Sequence, residues 1–137
     1  MALLDHIGVR VTDMERSLEF YTSLFGFPVV ERFQRKDPDG GVVDTAALRV
    51  GGESGLFLTQ QPGSAAHGRE ARPEHICLTF EPAEFEQVMT RIKARNAIPP
   101  ESRMFPRLGM TGRSNSIDIL DPDNNRIEVK NRSAEKR

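Results

Sequence analysis

Leu4-Asp5-His6-Ile7-Gly8-Val9-Arg10-Val11 and Glu74-His75-Ile76-Cys77-Leu78-Thr79-Phe80 are the two stretches whose comparison decides the fold. Side chains alternate between the two faces of an extended chain. In the first stretch Ile7, Val9 and Val11 therefore share one face, and His6, Gly8 and Arg10 the other. In the second, Ile76, Leu78 and Phe80 replace the three apolar residues, and His75 stands where His6 stood, 69 residues later. Each pattern predicts a half-buried strand with a histidine on its polar side.

The likeness extends outward from both strands. After the first, Thr12 or Asp13 can cap a helix over 14–24, with Leu18, Tyr21, Leu24 and Phe25 at helical spacing until Gly26 ends it. A strand over 27–33 follows, then a turn at 37–41, a strand over 42–50, a turn at 51–55 and a strand over 56–60. After the second, a helix over 82–96 carries Phe85, Val88, Met89 and Ile92 on one stripe. Strands over 115–120 and 126–130, joined by Asp121-Pro122-Asp123-Asn124-Asn125, superpose without a gap on 44–59 at a constant offset of 71.

The order β-α-β-β-β thus occurs twice. The expected fold class is α+β, in one domain: module one at 4–60, a Pro- and Gly-containing linker at 61–73, module two at 74–130 and a polar tail at 131–137. Duplicated units of this kind share a core or build a site between them.

Nineteen basic against twenty acidic residues, a net charge of −1, give no field that would draw the chain to nucleic acid or an anionic membrane. No run of 18 apolar residues is present, a single cysteine excludes an internal disulfide framework, and no signal-peptide pattern opens the sequence. The cytoplasm is the expected compartment, and the expected partner is a small molecule in a pocket.

The duplication also names four equivalent positions: His6 and His75 on the opening strands, Phe57 and Glu128 on the closing strands. Three of the four are metal-ligand types. Ile127 and Val129 point to the apolar side, so Glu128 points the same way as the histidines. A carboxylate on a sheet's inner face is costly to desolvate without a compensating cation. Two imidazoles and one carboxylate form a facial set that leaves positions open for substrate. One divalent metal ion is expected at His6, His75 and Glu128, with Fe(II) or Mn(II) preferred and zinc or nickel as alternatives.

Residues 4–11, Ser17-Leu18-Glu19-Phe20-Tyr21, Leu24-Phe25-Gly26-Phe27, Glu74-His75-Ile76 and 121–128 together resemble the vicinal-oxygen-chelate superfamily of glyoxalases, bleomycin-resistance proteins and extradiol dioxygenases. The resemblance covers 4–130. It implies paired βαβββ modules curling into a cup-shaped mixed sheet around the metal, frequently completed by dimerisation. A homodimer with the metal near its interface is therefore expected.

Within that resemblance, glyoxalase I enzymes place a fourth ligand and base where this chain has Phe57, and the epimerases need the same group. Extradiol dioxygenases and fosfomycin thiol transferases use two His and one Glu, as here. Both carry a tyrosine ten residues before the Glu, where this chain has Asp118. Extradiol enzymes add a histidine acid or base, and the one spare histidine is His67, in the linker. Asp118 and His67 are thus the catalytic candidates, and Arg10, Thr79 and Phe57 the substrate-binding ones. Arg107 to Asn115 reads as a small, polar, basic loop suited to a lid or an anion-binding turn. Extradiol-type dioxygenation is the leading expectation. A glyoxalase-like lyase, isomerase or thiol transferase comes next, and a protein sequestering an antibiotic or other small ligand third.

Overall fold

The computed structural model describes residues 1–36, 40–60 and 74–132. It divides the chain into two compact units, Met1–Ala71 and Arg72–Arg137. The first contains β1 (His6–Val11), α1 (Met14–Phe25), β2 (Val29–Lys36), β3 (Val42–Gly51) and β4 (Ser54–Gln60). The second contains β5 (Ile76–Phe80), α2 (Pro82–Ala94), β6 (Phe105–Gly109), β7 (Gly112–Leu120) and β8 (Arg126–Asn131). The β-α-β-β-β order is present in each.

The two mixed sheets have matching strand orders, β1-β4-β3-β2 and β5-β8-β7-β6. The opening strand of each pairs in parallel with the closing strand, and the remaining pairings are antiparallel. Register is conserved along with order: Ala47 faces Phe57 as Asp118 faces Glu128, and Thr45 faces Thr59 as Ser116 faces Lys130. Because strand side chains alternate, that register fixes which residues share a face.

Each helix starts and stops for a local reason. Asp13 caps α1, accepting the Arg16 amide at 3.0 Å, and Gly26 closes it at φ 72, donating its own amide to the Thr22 carbonyl. Pro82 opens α2, where its missing N–H is not needed. Tyr21 and Leu24 of α1 are buried with Val9, Val11, Leu48, Leu56 and Leu58. Phe85, Val88 and Ile92 of α2 are buried with Leu78, Ile119, Ile127 and Val129. Full burial of each such side chain stabilises by about 1.5–3 kcal/mol, so the apolar strand faces carry the fold and the opposite faces are free for chemistry. Among the described residues no helix is long and apolar enough to cross a membrane.

Two sequence expectations need correcting. Residues 107–115 form no loop: β6 and β7 make a hairpin turning at Met110–Thr111, with Arg107 paired to Ser114 and Gly109 to Gly112. The sheet ladder overrides the low strand propensity of these small polar residues. The strand after α1 begins at Val29 and runs to Lys36, later than the apolar pattern suggested. Residues 61–73 lie outside the described residues.

Candidate metal centre

On the polar face of module two, His75 precedes β5 and Glu128 lies on β8. The Nε2 of His75 is 3.2 Å from Oε2 of Glu128. Two donors each about 2.0–2.2 Å from one ion and near a right angle to one another would stand about 3 Å apart, so this pair has the span of two ligands on a common ion. The Glu128 side chain is only 7% exposed. Among the described residues, its Oε1 and the Nδ1 of His75 are buried with no hydrogen-bond partner. A buried carboxylate with one oxygen unanswered costs several kcal/mol unless a cation compensates it. The donor set and the orphaned oxygen both fit a divalent ion.

His6 belongs to module one, on the face of β1 that also carries Arg10. Its Nδ1 is 2.5 Å from Asp5 Oδ1. With that nitrogen as the donor, the Nε2 lone pair remains for a metal. The imidazole stacks on Phe57 with centroids 3.9 Å apart and planes 15° apart, and Phe33 meets Phe57 edge-on. Phe57 thus lies beside His6 on module one, as Glu128 lies beside His75 on module two. Among the described residues no three His, Cys, Asp or Glu side chains are gathered closely enough to hold an ion. The structure brings together His75 and Glu128, with His6 on the other unit.

Asp118 lies opposite Glu128 across β7 and β8. Its Oδ1 accepts from Arg107 Nη1 at 2.8 Å, and its Oδ2 is 3.3 Å from Arg126 Nε. Both carboxylate oxygens are therefore engaged. The same Arg107 nitrogen is 3.8 Å from Glu128 Oε2, and its guanidinium lies over the Phe105 ring at 4.4 Å. Arg126 also reaches Glu74, at 3.5 Å. The other catalytic candidate, His67, lies outside the described residues.

A cavity of about 500 Å³ opens on this face, lined among others by His75, Cys77, Thr79, Glu128 and Lys130. Thr79 is exposed along its rim. Partial burial pushes the Cys77 thiol above the usual range, and the neighbouring Glu128 charge adds to the rise. Four side chains were not singled out by the sequence reading: Asp5, Glu74, Arg126 and Lys130. The duplication held a signal for the first two, since an acid precedes each histidine. Strand alternation held one for the last two, each two residues from Glu128 on the same face.

A profile of the Glyoxalase/Bleomycin resistance protein/Dioxygenase superfamily matches residues 3–129. Among solved structures, the fold is similar to one from the mobile metagenome of V. pseudocholerae (24% identity, 97% of this chain and 96% of that one, TM-score 0.69). It is similar to glyoxalase I of Leishmania major (21% identity, 96% and 88% covered, TM-score 0.69). It is also similar to the fosfomycin resistance protein FosX of Listeria monocytogenes, solved with Mn(II) and sulfate (19% identity, 99% and 97% covered, TM-score 0.64).

Proposed function

The chain belongs to the Glyoxalase/Bleomycin resistance protein/Dioxygenase superfamily, and from that membership we propose that it is a metal-dependent enzyme acting on a small substrate that binds through two neighbouring oxygens. His75 and Glu128 hold one divalent ion, Fe(II) or Mn(II), and His6 completes the set. The observation that carries this reading is the buried Glu128 carboxylate, 3.2 Å from His75 and with its second oxygen given no hydrogen bond among the described residues.

Bound there, the ion would supply Lewis acidity and, as iron, redox capacity toward O₂. The protein's own groups do the rest. Asp5 holds His6 in the tautomer whose Nε2 is free. Phe57 presents an apolar ring where a proton acceptor would otherwise stand, so it excludes water and takes no proton. Asp118, gripped by Arg107 and Arg126, keeps the Arg107 guanidinium beside Glu128. Arg10 and Thr79 supply polar contacts to the substrate from the opening strands.

Extradiol-type ring cleavage is the reaction this ligand set suits. A second reading, Lewis-acid addition such as thiol transfer to an epoxide, is favoured by one observation: Asp118 has both oxygens engaged and is a poor acid or base for ring cleavage. The test is elemental analysis of protein purified without chelator. Oxygen uptake with catechols on the Fe(II)-loaded protein, and thiol consumption with epoxides on the Mn(II)-loaded protein, then separate the reactions. Protein that arrives without metal and binds none at micromolar concentration would refute the enzyme and favour a sequestering role. We also propose a symmetric homodimer, the commonest closed assembly. Light scattering showing only the 15.4 kDa chain would refute it.

A further inference from the structure

Among the described residues, Lys130 is the most deeply buried charged side chain of module two, at 1% exposure. Its ammonium donates to the backbone carbonyls of Arg107, at 2.5 Å, and Ser114, at 3.0 Å. An ammonium has three donors, so one is left over. Both of those bonds go to neutral carbonyls, and the nearest acid on its face is Glu128, two residues along β8 and engaged with His75 and Arg107. A buried charge answered only by two neutral dipoles remains costly, and an anion is what would compensate it.

The surroundings are shaped around this side chain. A Cβ at Gly109 would come within 2.6 Å of Lys130 Cε, so any larger residue there would push the end of the Lys130 side chain from its present place beneath the β6–β7 hairpin. Lys130 lines the cavity of about 500 Å³ that also holds His75 and Glu128, and Leu108, Met110 and Cys77 add apolar surface to it. Lys130 and Glu128 share a face of β8, two residues apart.

We propose that Lys130 recognises the anionic head of the substrate, and that the substrate is a small carboxylate with a short apolar body. This rests on the reading of the Glu128 face as the substrate site, but it does not require a metal to be bound. The carboxylate takes the free N–H of Lys130, the apolar body lies against Leu108 and Met110, and the substrate's other polar groups lie toward His75.

The experiment titrates butanoate, and its neutral isostere butanamide, into isotopically labelled full-length protein. Amide shifts are followed at low salt, as purified and again after metal removal with phenanthroline. We expect butanoate to shift residues 77, 109–111 and 130 in both samples, and butanamide to bind at least about tenfold more weakly, the margin of one charge-assisted hydrogen bond. Lys130→Met removes the preference for the charged ligand. Should that variant fail to fold, Gly109→Ala displaces the ammonium from its two carbonyls and weakens butanoate at least about threefold. Equal binding of the two ligands, unchanged affinity in both variants, or shifts elsewhere would overturn the proposal. Butanoate binding that vanishes with the metal would overturn it too, since the ion and not Lys130 would then be the anchor. A protein that holds no metal but still discriminates butanoate keeps this inference and loses only the metal reading.

Discussion

Modules one and two share element order, strand order and register, yet their polar faces hold different chemistry. At the register where module two has Asp118 opposite Glu128, module one has Ala47 opposite Phe57. Where module two has Ser116 opposite Lys130, module one has Thr45 opposite Thr59, and Leu120 opposite Arg126 corresponds to Arg49 opposite Gly55. Each histidine has an acidic neighbour, but His6 rests on an aromatic ring and His75 on a carboxylate. One backbone thus carries an apolar wall in one copy and a charged cluster in the other. The strand pairing fixes where a side chain stands, and the residue placed there decides whether a cation is needed.

The largest effect should come from breaking the charged half. His75→Ala and Glu128→Ala should each lower metal affinity by at least about 100-fold, because loss of a direct ligand exceeds the loss caused by removing its supporting partner. His6→Ala should join them, whereas Phe57→Ala should leave the affinity unchanged. The fold should persist in all four, since the core lies on the opposite strand faces. Elemental analysis with circular dichroism checks this. Full occupancy in His6→Ala would mean that module two binds the ion without module one.

The next contrast is one of stability. A Cβ at Gly55 would meet the Leu48 carbonyl oxygen at 2.6 Å, and backbone cannot swing aside as a side chain can. Gly55→Ala should cost about 1–3 kcal/mol, in the range of overpacked sites. Arg126→Ala, at the same register in module two, should cost under about 0.5 kcal/mol, because the partly exposed Arg126 pairs are weak. Urea unfolding of the two variants measures both. Equal losses would show that the matching registers do not impose different packing.

Making the apolar half resemble the charged half gives a smaller effect. Phe57→Glu should tighten zinc or nickel binding about tenfold, as one further charged donor would, at the expense of an open coordination position. Calorimetric titration compares the two proteins. An unchanged affinity would mean that position 57 does not face the ion, and would break the equivalence of the two closing strands.

The sequence made the duplicated frame legible because apolar alternation survives in both opening strands, Ile7-x-Val9-x-Val11 and Ile76-x-Leu78-x-Phe80, and in the last strand, Ile127-x-Val129. His75 and Glu128 followed from the same parity. The β6–β7 hairpin did not. Gly109, Gly112, Arg113, Ser114 and Asn115 bury little apolar area, and what holds them in strand form lies elsewhere in the chain: Lys130 donates to the Ser114 carbonyl, and the Ser114 hydroxyl donates to the Asn131 carbonyl. The engagement of Asp118 by two arginines was equally invisible, because Arg107 and Arg126 are far apart in sequence and meet only through the sheet.

The smallest effect reads the field of the charged face through Cys77, which stands where module one has Gly8. Its thiol pKa is raised first by burial and then by the negative Glu128, while Lys130 pulls it down. A raised pKa leaves less thiolate at neutral pH, so alkylation by iodoacetamide should be slower at pH 7.5 than for a free thiol and should keep rising past the usual thiol range. Glu128→Gln removes a charge that disfavours the thiolate, so its rate profile should move to lower pH. Lys130→Met removes a charge that favours the thiolate, so its profile should move to higher pH. Shifts of opposite sign are the signature of a local field, since a general loosening of the sheet would expose the thiol and lower its pKa in both. Mass-spectrometric alkylation rates across pH 6.5–10 decide it, and two shifts of the same sign would mean that solvent access, and not the pair of charges on β8, governs this face.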